Sequence, residues 1–107
     1  MDRAARRRQR RPAPEAVATL SYASRALEDI ERLLGAGDAA ATGAAIRSAA
    51  TLLAGHPLAG RRVSGDTREL LISCGASGCV ALYRFDVRAD EVQVLALGAQ
   101  RELGLSP

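Results

Sequence analysis

Six side chains hold most of the reactive chemistry in this sequence: Arg68, Tyr83, Arg84, Gln100, Arg101 and Glu102. The arginines are fixed cations suited to anionic groups. Tyr83 and Glu102 can carry protons, but their ordinary pKa values of about 10 and 4.3 suit neutral-pH transfer poorly without a special environment. Gln100, Arg101 and Glu102 follow an apolar run, Val92 to Leu97, through Gly98-Ala99. A buried strand there would deliver a polar cluster to the domain edge, which is how rigid scaffolds present functional groups. Each residue also has a plainer reading: Arg68 as an ion-pair partner of Asp66 or Asp86, Tyr83 as core beside Ala81 and Phe85, and residues 100–102 as a solvated terminus.

Metal and cofactor chemistry finds no foothold. The two cysteines, Cys74 and Cys79, bracket Gly75-Ala76-Ser77-Gly78, and the single histidine, His56, lies in a distant Gly-His-Pro loop. A structural metal site takes about four ligands, which this set does not supply. Structural thiols on facing strands are the expectation, with a redox pair as the alternative.

The elements that must place these residues are legible from the patterning. With 107 residues and 48% hydrophobic content, the chain has room for one domain with a real core. No stretch approaches the roughly 20 apolar residues of a membrane span, and no secretory h-region follows the basic start, so a cytoplasmic location is expected. The formal charge of +3 is unevenly placed: residues 1–15 hold six arginines against two acids, +4, leaving nine arginines against ten acids, −1, for the rest. The basicity therefore belongs to residues 1–15, which are too polar to bury surface and are expected to form a disordered tail ahead of one domain over residues 16–107. All 15 basic residues are arginine, a pattern that fits codon composition better than selection for bidentate contacts.

Residues Ala16 to Tyr22 read as a first strand. Ser24 is placed to cap a helix whose apolar face is Leu27, Ile30, Leu33 and Leu34, with Glu28, Asp29, Glu31 and Arg32 toward solvent. Gly35 and Gly37 end it, and Asp38 caps a second, alanine-rich helix burying Ile46, Ala49, Ala50 and Leu53. A short link makes the two an antiparallel hairpin. Gly55-His56-Pro57 closes the second helix, and Leu58 to Val63 continues as loop. Beyond Thr67 the period changes: Leu70, Ile72 and Cys74 share one side, and Cys79 to Phe85 and Val92 to Leu97 supply two more strands. Gly75 to Gly78 and Arg88 to Asp90 are the hairpin connections. The resulting order is β-α-α-β-β-β, an α+β fold with a helical hairpin packed on a small, mostly antiparallel sheet.

Several separated segments resemble the ParE/RelE superfamily of type II toxin–antitoxin toxins. Tyr22 to Leu33 is similar to its opening strand and first helix, and Pro57-Leu58-Ala59-Gly60-Arg61 to its Pro-x-x-Gly-Arg loop. Arg68-Glu69-Leu70 resembles its Arg-x-Leu strand start, Tyr83-Arg84 its aromatic third strand, and Val94 to Glu102 its final strand. Together these span residues 17–105. The family often ends in Arg-His-x-Arg-Glu; here Gly98 and Ala99 stand where the first two would be.

The resemblance implies a toxin neutralised by a co-encoded antitoxin, reaching DNA only through that antitoxin, with no cofactor and no membrane partner. RelE-like members cleave mRNA in the ribosome, whereas ParE-like members poison DNA gyrase, and the shared fold does not choose between them. RNA cleavage requires a base, an acid and cations at the phosphorane-like transition state. Arg68, Arg84 and Arg101 would supply charge and Tyr83 and Glu102 the only proton carriers, since Ala99 replaces the family's histidine. A near-neutral body also fits a phosphate-lined ribosomal site poorly. The ParE-like reading, with Arg68, Gln100, Arg101 and Glu102 as target-binding residues, is therefore favoured over the ribonuclease and over an inactive relative.

Overall fold

The computed structural model of the chain describes residues 17–74, 77–99 and 102–104. The expected basic tail over residues 1–15 lies outside them. The order is β1 (Thr19–Tyr22), α1 (Ser24–Gly35), α2 (Ala39–Gly55), β2 (Arg61–Ser64), β3 (Thr67–Cys74), β4 (Ser77–Asp86) and β5 (Glu91–Gly98). The strands form one sheet in the order β1-β5-β4-β3-β2, in which only β1 and β5 pair in parallel. The expected α+β fold holds, with the helical hairpin against one face.

One strand is additional. The loop expected over Leu58 to Val63 stops short of its end: Arg61–Ser64 is a short edge strand paired antiparallel with β3. Its turn, Gly65-Asp66, is tight enough to need Gly65 at φ 55°, a conformation glycine adopts without a Cβ clash. The hairpin between β4 and β5 is fixed by Asp86, whose Oδ1 accepts the N–H groups of Arg88 and Ala89 at 3.0 and 3.1 Å. β3 runs to Cys74 as expected, whereas β4 starts at Ser77 rather than Cys79, so Ser77 and Gly78 belong to β4 and not to the connection.

The helices begin differently from one another. Asp38 caps α2 as expected, accepting the Ala41 N–H at 3.0 Å. Ser24 does not cap α1: it is the first helical residue, and the cap position falls on Ala23, which has no side-chain acceptor. The buried face of α1 is also rotated from the expected one. Ala26 and Asp29 are buried, Ile30 and Leu33 half-buried against the core, and Leu27 is exposed. The core joins these to Leu53 of α2 and to Ala81, Tyr83, Val92, Val94 and Leu97 of the central strands. Cys79 is disulfide-bonded, which corrects the expectation of free thiols. The chain's other cysteine, Cys74, is on the facing strand.

Candidate functional site

β1 pairs with β5 only as far as Tyr22 opposite Val94, so among the described residues the outer side of β5 beyond that rung has no strand to bond with. Buried backbone groups rarely stay unpaired. Side chains of α1 replace the missing strand. Asp29 Oδ2 accepts the Leu97 N–H at 2.9 Å, and Arg32 donates through Nη2 to the Leu97 carbonyl at 3.2 Å. Arg32 also bonds Asp29 Oδ1 at 3.4 Å, and Arg25 approaches Oδ2 at 3.6 Å, so the buried carboxylate is doubly compensated.

The same Arg32 reaches the terminal segment. Its Nη1 lies 3.7 Å from Glu102 Oε1, and that oxygen accepts the Ala99 N–H at 2.9 Å. A Cβ on Gly98 would stand 2.6 Å from Glu102 Oε1, so glycine at this strand end leaves room for the carboxylate to fold back. Glu102 is thus engaged with its own turn. Gln100 and Arg101 lie outside the described residues.

The second group of candidates gathers under the loop from His56 to Gly60. Tyr83 is fully buried, and its hydroxyl accepts the Gly60 N–H at 2.8 Å. Arg68, directly across from Tyr83, donates to the carbonyls of Gly60 at 2.8 Å and Leu58 at 3.5 Å. It does not form the ion pair with Asp66 or Asp86 that its neighbourhood in sequence suggests. A Cβ on Gly60 would meet the Glu69 carbonyl at 2.5 Å and the Tyr83 ring at 2.8 Å, so only glycine lets the loop close this tightly. Tyr83 and Arg68 therefore hold the loop on the sheet. His56 contributes its backbone, donating to Leu52 O and accepting from Ala59 N.

Arg84, the next residue after Tyr83, is exposed and donates to Gln93 Oε1 at 3.1 Å. It lines an open cleft of about 370 Å³ with Arg88 and the three acids Asp66, Asp86 and Glu91, so this cleft has no excess of positive charge. Gly98 lies opposite Val80, three rungs from Tyr83, which puts the Glu102 turn roughly 10 Å along the sheet from the Tyr83 rung. The proton carriers and cations among the described residues thus do not converge on one point.

Two groups escaped sequence reasoning. Asp29 was assigned to solvent, though its spacing from Ala26, Ile30 and Leu33 places it on the same helix face. Glu69, in the middle of β3, is buried and accepts from Arg61 Nε at 2.6 Å, while its Oε2 has no partner. No sequence pattern marks that cross-strand pair, because β2 itself was not legible.

Among the described residues no cluster of three or more potential ligands could hold a metal ion, and no helix is long and apolar enough to cross a membrane. The comparisons agree with the geometry. The architecture is similar to that of an arginine-to-alanine double mutant of E. coli toxin RelE in the free state, at 16% identity and TM-score 0.63, over 80% of this chain and 86% of that one. It is also similar to a chain of the toxin–antitoxin complex RelBE2 from Mycobacterium tuberculosis, at 18% identity and TM-score 0.60, over 78% and 91%. A chain of the intact E. coli RelBE complex gives 18% identity and TM-score 0.51, over 77% and 95%. No curated protein matches the chain. The family described as the ParE toxin of type II toxin–antitoxin system, parDE, matches residues 20–104, from the first strand through the Glu102 turn. The chain therefore belongs to the ParE toxin family of type II toxin–antitoxin systems, within the ParE/RelE superfamily.

Proposed function

We propose that this toxin acts by binding DNA gyrase through its surface rather than by cleaving RNA, and that a co-encoded antitoxin neutralises it. The observation that carries this reading is the dispersal of the proton carriers. Tyr83 is buried with its hydroxyl committed to Gly60, and Glu102 is committed to Ala99 and Arg32, in a different part of the sheet. General acid–base catalysis needs both within hydrogen-bond reach of one substrate. A protein-directed poison needs only a shaped surface with a few anchors. In this reading Arg68 shapes the loop, and Gln100 and Arg101, following the braced strand end, make the target contacts. Residues 16–107 form the toxin domain and residues 1–15 a basic tail.

The antitoxin is expected to be an acidic segment that folds on the toxin, covering helical-hairpin surface and open sheet edge. Inducible expression without the neighbouring gene, together with a supercoiling assay on purified gyrase, tests the reading. The expected result is inhibited supercoiling and DNA-damage signalling with continued translation, relieved by the neighbouring gene. Rapid loss of translation with cleaved messages would replace it with the RelE-like ribonuclease, and no growth effect would mark an inactive relative. Arg101→Ala is expected to weaken toxicity; unchanged toxicity would remove the terminal cluster from the mechanism.

A further inference from the structure

An acid buried in the middle of a strand destabilises the fold unless a partner compensates it, and an apolar pair of similar volume would serve the fold as well or better. Glu69 is such an acid. It is 4% exposed and lies directly opposite Arg61 on β2 and Leu82 on β4. Its neighbours Arg68 and Leu70 pair with Tyr83 and Ala81 of the core, so alternation puts Glu69 on the sheet face turned away from the helices.

The pairing with Arg61 is lopsided. A guanidinium that served only to neutralise the carboxylate would meet it fork to fork, through two parallel bonds. Here Nε alone donates to Oε1, at 2.6 Å, and Oε2 is buried without a partner. The two terminal nitrogens of Arg61 make no hydrogen bond or ion pair among the described residues, and the side chain is 65% exposed. Glu69 therefore aims Arg61 while leaving the outward half of its donor fork open.

The backbone of Arg61 is fixed as firmly as its head. The residue before it, Gly60, gives its N–H to the buried Tyr83 hydroxyl at 2.8 Å, and its carbonyl accepts from Arg68 Nη1 at 2.8 Å. From Arg61 onward the chain is paired with β3. A long side chain held at both ends has lost most of its rotamer freedom before a ligand arrives, which is the preorganisation that a binding anchor needs.

The surroundings select the ligand. On the same face Asp86 stands directly opposite Glu91, and Asp66 lines the cleft beside them. A nucleic-acid strand would bring its closely spaced phosphates against these acids. A single carboxylate on a protein surface needs only the one fork and its two parallel N–H···O bonds.

We propose that Arg61 is an anchor for the protein that this toxin poisons: its free terminal nitrogens receive one carboxylate of the target, and Glu69 is the positioning residue that aims them. This rests on the gyrase-directed reading above and adds to it a target contact on β2.

The test is inhibition of gyrase supercoiling by full-length toxin, measured as the half-inhibitory concentration at two salt concentrations, beside the melting temperature of each variant. Arg61→Lys keeps a cation next to Glu69 and loses the fork. It should melt near the wild type and inhibit several-fold more weakly. Arg61→Gln combined with Glu69→Leu removes both charges, so no buried carboxylate is left unpaired. This double variant should melt at or above the wild-type temperature, inhibit about tenfold more weakly and show a flatter salt dependence. Wild-type inhibition by both variants would overturn the anchor and leave the gyrase reading standing. Weakened inhibition that tracks a lowered melting temperature in both would reduce the pair to holding the sheet together, and the proposal would fall. Failure of the wild-type toxin to inhibit gyrase would overturn both readings at once.

Discussion

The Asp29 carboxylate accepts the backbone N–H of Leu97 at 2.9 Å across 68 residues of sequence. It does for β5 what a neighbouring strand would do, at the rung where β1 has run out. Asp29→Ala leaves that N–H buried without an acceptor and also removes one of the partners of Arg32. The expected loss is about 3 kcal/mol, read from the urea midpoint with an unchanged slope. Asp29→Asn, which keeps an acceptor oxygen, should cost clearly less.

Gly98 and Glu102 form a second, local pair at the same strand end. In Gly98→Ala the added carbon meets a flexible carboxylate rather than backbone, so Glu102 moves and its bond to Ala99 is lost. The fold should persist, with a stability change within about 1 kcal/mol. Toxicity should fall with the loss of that bond, and Glu102→Ala, which removes the acceptor outright, should reproduce most of the effect. Both are read by growth after induction beside the measured melting temperature.

At the loop, Gly60→Ala and Tyr83→Phe are expected to differ in severity. Tyr83→Phe deletes one buried hydroxyl and strands the Gly60 N–H, at about 1–3 kcal/mol. Gly60→Ala pushes a carbon against the Glu69 carbonyl and the Tyr83 ring, neither of which can yield cheaply, and should be the worse of the two. Thermal melts of the two variants in parallel give the ranking; equal melting temperatures would contradict the packing described.

The Tyr22 phenol has its pKa raised above 10.0 by burial, which favours the neutral form in the folded protein. The unfolded chain therefore ionises first as pH rises. The stabilisation from Tyr22 is complete below about pH 10 and is lost as pH climbs through the folded value. Urea midpoints measured on either side of pH 10 should fall with pH, and Tyr22→Phe should make that decline shallower.

The helical hairpin, the three long strands and their order were legible in the sequence because each is written locally. Asp38 before an alanine-rich run dictates a capped helix, and the β-branched runs in β4 and β5 dictate strands. The family segments, from Tyr22 through Glu102, were legible for the same reason. Other features depended on distant partners. β2 exists because Arg61 and Arg62 find β3 across a turn, and Leu27 is exposed while Asp29 is buried because β5, rather than α1, lacks a neighbour at Leu97. Tyr83 and Glu102 looked like proton carriers as residue types; their hydrogen bonds to Gly60 and Ala99 gave them structural work instead. Local spacing is set by chain geometry, whereas burial of a charge is decided by which unpaired backbone group it meets, and only the folded chain supplies that meeting.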